Sequence, residues 1–180
     1  EFRLDLLVRV SGQSVDQVVS LLEEAEAAHL VTELGFGQYT FSHALVRQAL
    51  YLDHSQTRRT LLHHAVANAM EEIHAANLRP QLAQLAHHYF AAIPSADPDR
   101  AVEYAQRAAD DATAQAAFEE SARLLLLALH ALQTGPAEPA PETLCEIHLA
   151  LGRAQARAGD TPDARATYER TAGIAREASL

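Results

Sequence analysis

At 180 residues the chain is long enough for one large domain or two small ones, burying roughly 70% of its unfolded surface on folding. A single cysteine, Cys145, allows no internal disulfide and builds no structural zinc site, which excludes a secreted disulfide scaffold and fits a reducing cytoplasm. The net charge of -10, from 14 arginines, no lysine and 24 acids, repels nucleic-acid phosphates and anionic membrane surfaces.

With 37 alanines and 25 leucines against 7 glycines and 7 prolines, the chain is expected to be mainly α-helical with few strands. The longest apolar run, residues 124–129, is far below the roughly 18 residues of a membrane span. The chain opens at Glu1 with neither an initiating Met nor a basic-then-apolar signal region, so it is expected to be part of something longer.

Residues 1–10 place Phe2, Leu6, Leu7 and Val10 on one face of a short helix ending at Gly12. Ser14 and Gln17 have capping-box spacing and open a second helix. Val15, Val18, Val19, Leu22, Ala25 and His29 form its expected buried stripe, and Asp16, Glu23, Glu24 and Glu26 its solvated face. Residues 30–41 then read as a β-hairpin turning at Gly35, Phe36 and Gly37. A third helix follows, with Ser42 as its cap and Phe41, Leu45, Ala49 and Leu52 facing inward. Two helices, a small hairpin and a third helix predict a winged helix over residues 1–55.

From Ser55 onward the pattern is helical hairpins punctuated by Pro80, Pro94, Pro98 and a Pro-rich loop at 134–141. Helices are predicted over 56–75, 79–92, 98–114, 117–133, 142–158 and 162–179. Residues 148–172 read HLALGRAQARAGDTPDARATYERTA, with Leu151 and Gly152 in the first helix, Gly159 at the turn, and Ala164 and Tyr168 in the second. This resembles a tetratricopeptide (TPR) repeat, whose small residues sit where helices cross closely while an aromatic fills the groove between them. The same frame laid on residues 101–128 puts Ser121 where Ala164 stands and Leu125 below it, a degenerate second repeat. Ser121 and Ala164 are 43 residues apart, against a nominal period of about 34, and the excess matches the Pro-rich loop.

The most specific string in the chain is FSHALVRQALY, residues 41–51. Joined to the elements around it, it resembles the region that follows the nucleotide-binding domain in STAND-class ATPases. These include the large ATP-binding LuxR-type transcriptional regulators and the cyclase-linked ATPases of bacteria. Their Phe-x-His-x-Leu-x-Arg-x-Ala-x-Tyr pattern is matched by Phe41, His43, Leu45, Arg47, Ala49 and Tyr51. More distantly the string is similar to the Met-His-Asp motif of NB-ARC proteins, with Ser42 and Ala44 in place of Met and Asp. There the histidine contacts a phosphate of bound ADP and holds the resting state, which makes His43, with Arg47, the candidate nucleotide sensor. One such hydrogen bond, about 1.5–3 kcal/mol, shifts a closed-to-open equilibrium roughly ten- to a hundredfold.

Other chemistry finds little footing. Ten histidines include the adjacent pairs His63-His64 and His87-His88, but no spacing converges two of them on a metal, and no metal site is expected. Cys145 has His148 three residues on and no third orienting group, the pattern of a core thiol. Glu119-Glu120 and Asp110-Asp111 are consecutive and diverge on a helix. There is no GxxxxGK[ST] phosphate loop, so no ATP hydrolysis is expected from this chain. Residues 1–45 set two arginines against seven acids, which argues against DNA contact; Arg47 with Arg58-Arg59 is the basic concentration, suited to acids or a nucleotide.

The expectation is thus a non-catalytic, signal-transmitting segment of a STAND-type ATPase regulator. Its TPR-like repeats, residues 56–180, would bind a partner or inducer, and its winged helix would dock on the nucleotide-binding domain of the same polypeptide. No cofactor is expected in this chain, and ATP or ADP in the longer protein. The alternative is a free-standing TPR adaptor for a protein or peptide partner, told apart by whether a phosphate loop precedes Glu1.

Overall fold

Helix dominates because alanine and leucine dominate. Among the described residues, 1–135 and 137–180 of a computed structural model, there are nine α-helices, one 3₁₀ turn and three short antiparallel strands. The chain divides into two compact units, Glu1–Ala76 and Asn77–Leu180.

In the first unit β1 (Phe2–Arg3), β2 (Val31–Gly35) and β3 (Gln38–Phe41) form one sheet in the order β1-β3-β2. Phe2 pairs with Tyr39, and its ring stacks on Tyr39 at 6.0 Å and tilts against Phe41 at 5.5 Å. Residues 1–10 are therefore not one helix: the non-local pairing pulls Phe2 into a strand, and α1 runs only over Leu4–Ser11. Leu4, Leu7 and Val8, rather than Leu6 and Val10, pack on the core of Val18, Leu22, Val31 and Tyr39. Burial of such side chains contributes about 1.5–3 kcal/mol each.

Helix α2 (Val15–Ala27) carries the expected capping box. The Gln17 amide donates to Ser14 Oγ at 3.3 Å, and the Ser14 amide to Gln17 Oε1 at 3.0 Å. Val18 and Leu22 of the expected stripe are buried, Val15 is exposed, and His29 does not join the stripe. It is exposed at φ 56, and its amide donates to the Glu26 carbonyl, so it closes the helix as the chain turns into β2.

Helix α3 (Ala44–Asp53) is capped by His43, not Ser42, whose hydroxyl instead shares a 3.3 Å hydrogen bond with Thr32. Of the inward stripe expected here, Phe41, which falls in β3, packs on the core, but the part on α3 is absent. Leu45 is 77% exposed, Ala49 and Leu52 are exposed, and no residue of the helix is buried. Helical periodicity marks an apolar face without saying what covers it. Helix α4 (Gln56–Ile73) starts at a Ser55 cap, packs on α1 and is tied to it by an ion pair between Glu72 and Arg9. The first compact unit thus ends after Ala76, not at the 55/56 boundary expected from the hairpin pattern, because α4 covers α1.

The second unit is a run of helices in which each packs on the next. A 3₁₀ turn at Arg79–Gln81 leads into α5 (Leu82–Ala91), followed by α6 (Pro98–Ala114), α7 (Phe118–Thr134), α8 (Pro141–Ala158) and α9 (Thr161–Ala178). Helix α6 opens with Asp97 as cap and Pro98 in its first turn, and it buries Ala101, Ala105, Ala108, Ala109 and Ala112. Methyl-sized contacts let its neighbours approach closely. The Tyr89 and Tyr104 rings stack at 5.6 Å, with Arg100 over both. The Pro-rich loop expected at 134–141 includes residue 136, which lies outside the described residues.

Candidate functional site

Two places collect the residues singled out in the sequence, one in each unit. In the first, the extended backbone of His43 (φ -139, ψ 138) ends the ribbon, and its carbonyl accepts from the Val46 and Arg47 amides. His43 and Arg47 stand one helical turn apart, both exposed. His43 makes no side-chain cap bond, and Arg47 makes no ion pair among the described residues. Further along α3, the Tyr51 hydroxyl lies 3.1 Å from His63 Nε2, and the Arg59 guanidinium stacks 5.0 Å above the Tyr51 ring. That tie leaves Leu45, Leu50 and Leu52 open to solvent. Between residues 34 and 70 the sole acid is Asp53, against Arg47, Arg58 and Arg59, so this apolar face sits in a locally cationic stretch of an acidic chain.

In the second unit the repeat-frame residues converge where α7, α8 and α9 meet. Leu151, Gly152, Ala164, Ser121 and Leu125 are buried, and Gly159 ends α8 in the left-handed region at φ 89. Tyr168 lies across Gly152, with three ring atoms within 2.9 Å of where a Cβ would stand. The hydroxyls of Ser121 and Thr113 share a 2.8 Å hydrogen bond that joins α6 to α7. Around them opens a cleft of about 320 Å³, with Phe118, Leu125, Ala150, Ala154 and Tyr168 lining it beside Arg153, Arg157 and Asp110.

The sequence did not single out Arg153 and Arg157. The usable signal is two arginines at i and i+4 with no acid four residues to either side on that helix. Here Arg157 lies 4.5 Å over the Phe118 ring. Cys145 donates weakly to the Thr171 carbonyl at 3.9 Å, and His148 is buried, its Nδ1 2.8 Å from the Leu144 carbonyl. The thiol and the imidazole thus each engage a backbone carbonyl. Among the described residues no group of three or more His, Cys, Asp or Glu side chains is placed to hold a metal ion, and no helix is long and apolar enough to cross a membrane.

Compared with known protein families, curated proteins and solved structures, the chain matches none.

Proposed function

We propose that this chain is a non-catalytic, signal-transmitting part of a STAND-type ATPase transcriptional regulator. In this reading the first unit is a winged helix that docks through α3 on a nucleotide-binding domain of the same polypeptide. The second unit is a set of TPR-like hairpins that receives the partner or inducer. The observation that carries it is α3 itself: a ten-residue helix with no buried side chain and three exposed leucines, beginning at the His43 and Arg47 of the family-like string. A helix of that composition stays in water at a cost that a docked domain removes. His43 then faces the docked domain, where a nucleotide phosphate is within the chemistry of an imidazole and a guanidinium.

The exposed edge of Tyr168 beside the cleft favours a second reading, a TPR adaptor with no nucleotide coupling. Sequencing the native polypeptide separates the two. A phosphate loop upstream of Glu1, together with constitutive output from a His43→Ala variant of the whole protein, is expected on the first reading. A native chain without such a loop overturns it.

A further inference from the structure

We infer that the cleft beside Tyr168 binds an acidic peptide segment, inserting one apolar side chain while Arg153 and Arg157 take a neighbouring carboxylate. This rests on reading the second unit as partner-binding repeats and adds the chemistry of what they bind.

The argument begins with charge. Six of the 14 arginines, Arg3, Arg9, Arg79, Arg107, Arg123 and Arg165, already pair with a carboxylate and are spoken for. Arg153 and Arg157 make no ion pair among the described residues, although they stand one turn apart on the same helix. Two guanidiniums one helical turn apart on one face are close enough to donate together to a single carboxylate. Arg157 is held over Phe118, so less of its freedom is lost when it binds.

Beneath the arginines the cleft is apolar and lined by small residues. Ala150 and Ala154 leave room that longer side chains would fill, and Phe118, Leu125 and Tyr168 supply the contact surface. At about 320 Å³ the space is at the lower end of what ligand pockets use, and it suits one anchoring side chain of a longer partner. The Tyr168 hydroxyl makes no hydrogen bond among the described residues and can donate to a peptide C=O, and Asp110, the one carboxylate lining the cleft, can accept from a peptide N–H. Asp110 also repels a second acid, which fixes the peptide carboxylate at the arginines.

The test is a nitrogen-15 NMR titration of the 180-residue chain with three capped pentapeptides: Glu-Glu-Leu-Glu-Glu, Lys-Lys-Leu-Lys-Lys and Glu-Glu-Ser-Glu-Glu. The net charge of -10 favours the lysine peptide everywhere except at a local cationic site, so the comparison is biased against the proposal. The expected result is binding of the acidic leucine peptide about tenfold tighter than either control, with shifts confined to the cleft: Asp110, Phe118, Leu125, residues 150–157 and Tyr168. The Arg153→Glu/Arg157→Glu double variant should reverse the charge preference, and Arg153→Gln/Arg157→Gln should abolish it; an Arg165→Glu control should change neither. Equal or tighter binding of the lysine peptide, indifference to the leucine, shifts elsewhere, or a double glutamine variant that keeps the preference overturns the inference. The titration uses no nucleotide and no nucleotide domain. Failure of α3 docking therefore leaves its outcome unchanged, and its own failure leaves the docking reading standing.

Discussion

Tyr168 lies over Gly152 so closely that a Cβ at residue 152 would stand 2.6 Å from the tyrosine Cε1 and 2.9 Å from Cδ1 and Cζ. Alanine in a helix interior is ordinarily about 1 kcal/mol better than glycine, but here the ring must leave first. It is 38% exposed, so it can swing outward, giving up its buried contacts. Gly152→Ala is expected to destabilise the chain by about 1–2 kcal/mol, a small overpacking cost net of the helix gain. In a Tyr168→Ala background the same change should become stabilising by up to about 1 kcal/mol. Urea unfolding of the four proteins in the cycle measures it; a Gly152→Ala effect of the same sign in both backgrounds rules out the packing account.

Tyr39 gives the first unit a pH dependence at the alkaline end. Burial raises its phenol above the ordinary value near 10, and the negative charges of Glu33, Glu26 and Glu23 raise it further. A raised folded value means the folded state holds the proton more tightly than the unfolded chain. The associated stability is complete below the unfolded value and is lost as pH rises through the folded one. Loss of ellipticity in the fragment 1–76 is therefore expected to begin above about pH 10. Tyr39→Phe keeps the stack on Phe2 but cannot ionise, and it should move that loss to higher pH. Identical alkaline profiles for the two proteins would place the cause in another group.

The compact unit that ends after Ala76 predicts where the chain can be cut. A fragment of residues 1–55 lacks α4 and leaves α1 uncovered, together with Arg9, which pairs with Glu72. It is expected to be less helical per residue and to unfold less cooperatively than a fragment of residues 1–76. Circular dichroism with thermal melts compares the two directly. Equal cooperativity would mean that α4 adds nothing to the first core.

What could be read from the sequence follows how local each determinant is. Helix α6 falls on its predicted bounds because Asp97, Pro98 and the alanine spacing all lie within a turn or two of what they determine. The Ser14 and Gln17 cap is local in the same way. Phe2 was misread because its strand exists only through β3, more than thirty residues away. The α3 stripe was misread for another reason: an apolar face looks the same whether its cover is inside the chain or outside it. At the candidate site, the small residues around Gly152 were visible because packing demands them, whereas Arg153 and Arg157 have the spacing of any solvated face until Phe118 and the cleft are placed beneath them.

The contrast between Leu45 and Leu22 turns the exposure of α3 into a measurement. Leu22 is 8% exposed and sits in the core with Val18, Val31 and Tyr39, so Leu22→Ala removes buried methyl groups and leaves a cavity, at about 2–5 kcal/mol. Leu45, at 77% exposed, has little to lose, and Leu45→Ser is expected to change stability by no more than about 0.5 kcal/mol. The same substitution removes part of an exposed apolar face, so it should raise the concentration at which the chain stays monodisperse in light scattering. In the whole protein, where α3 is proposed to be covered, Leu45→Ser should cost more than in this chain. The excess, read from paired denaturant melts, measures the docking. No excess would leave α3 a solvent-facing helix in both settings and remove the main support for docking.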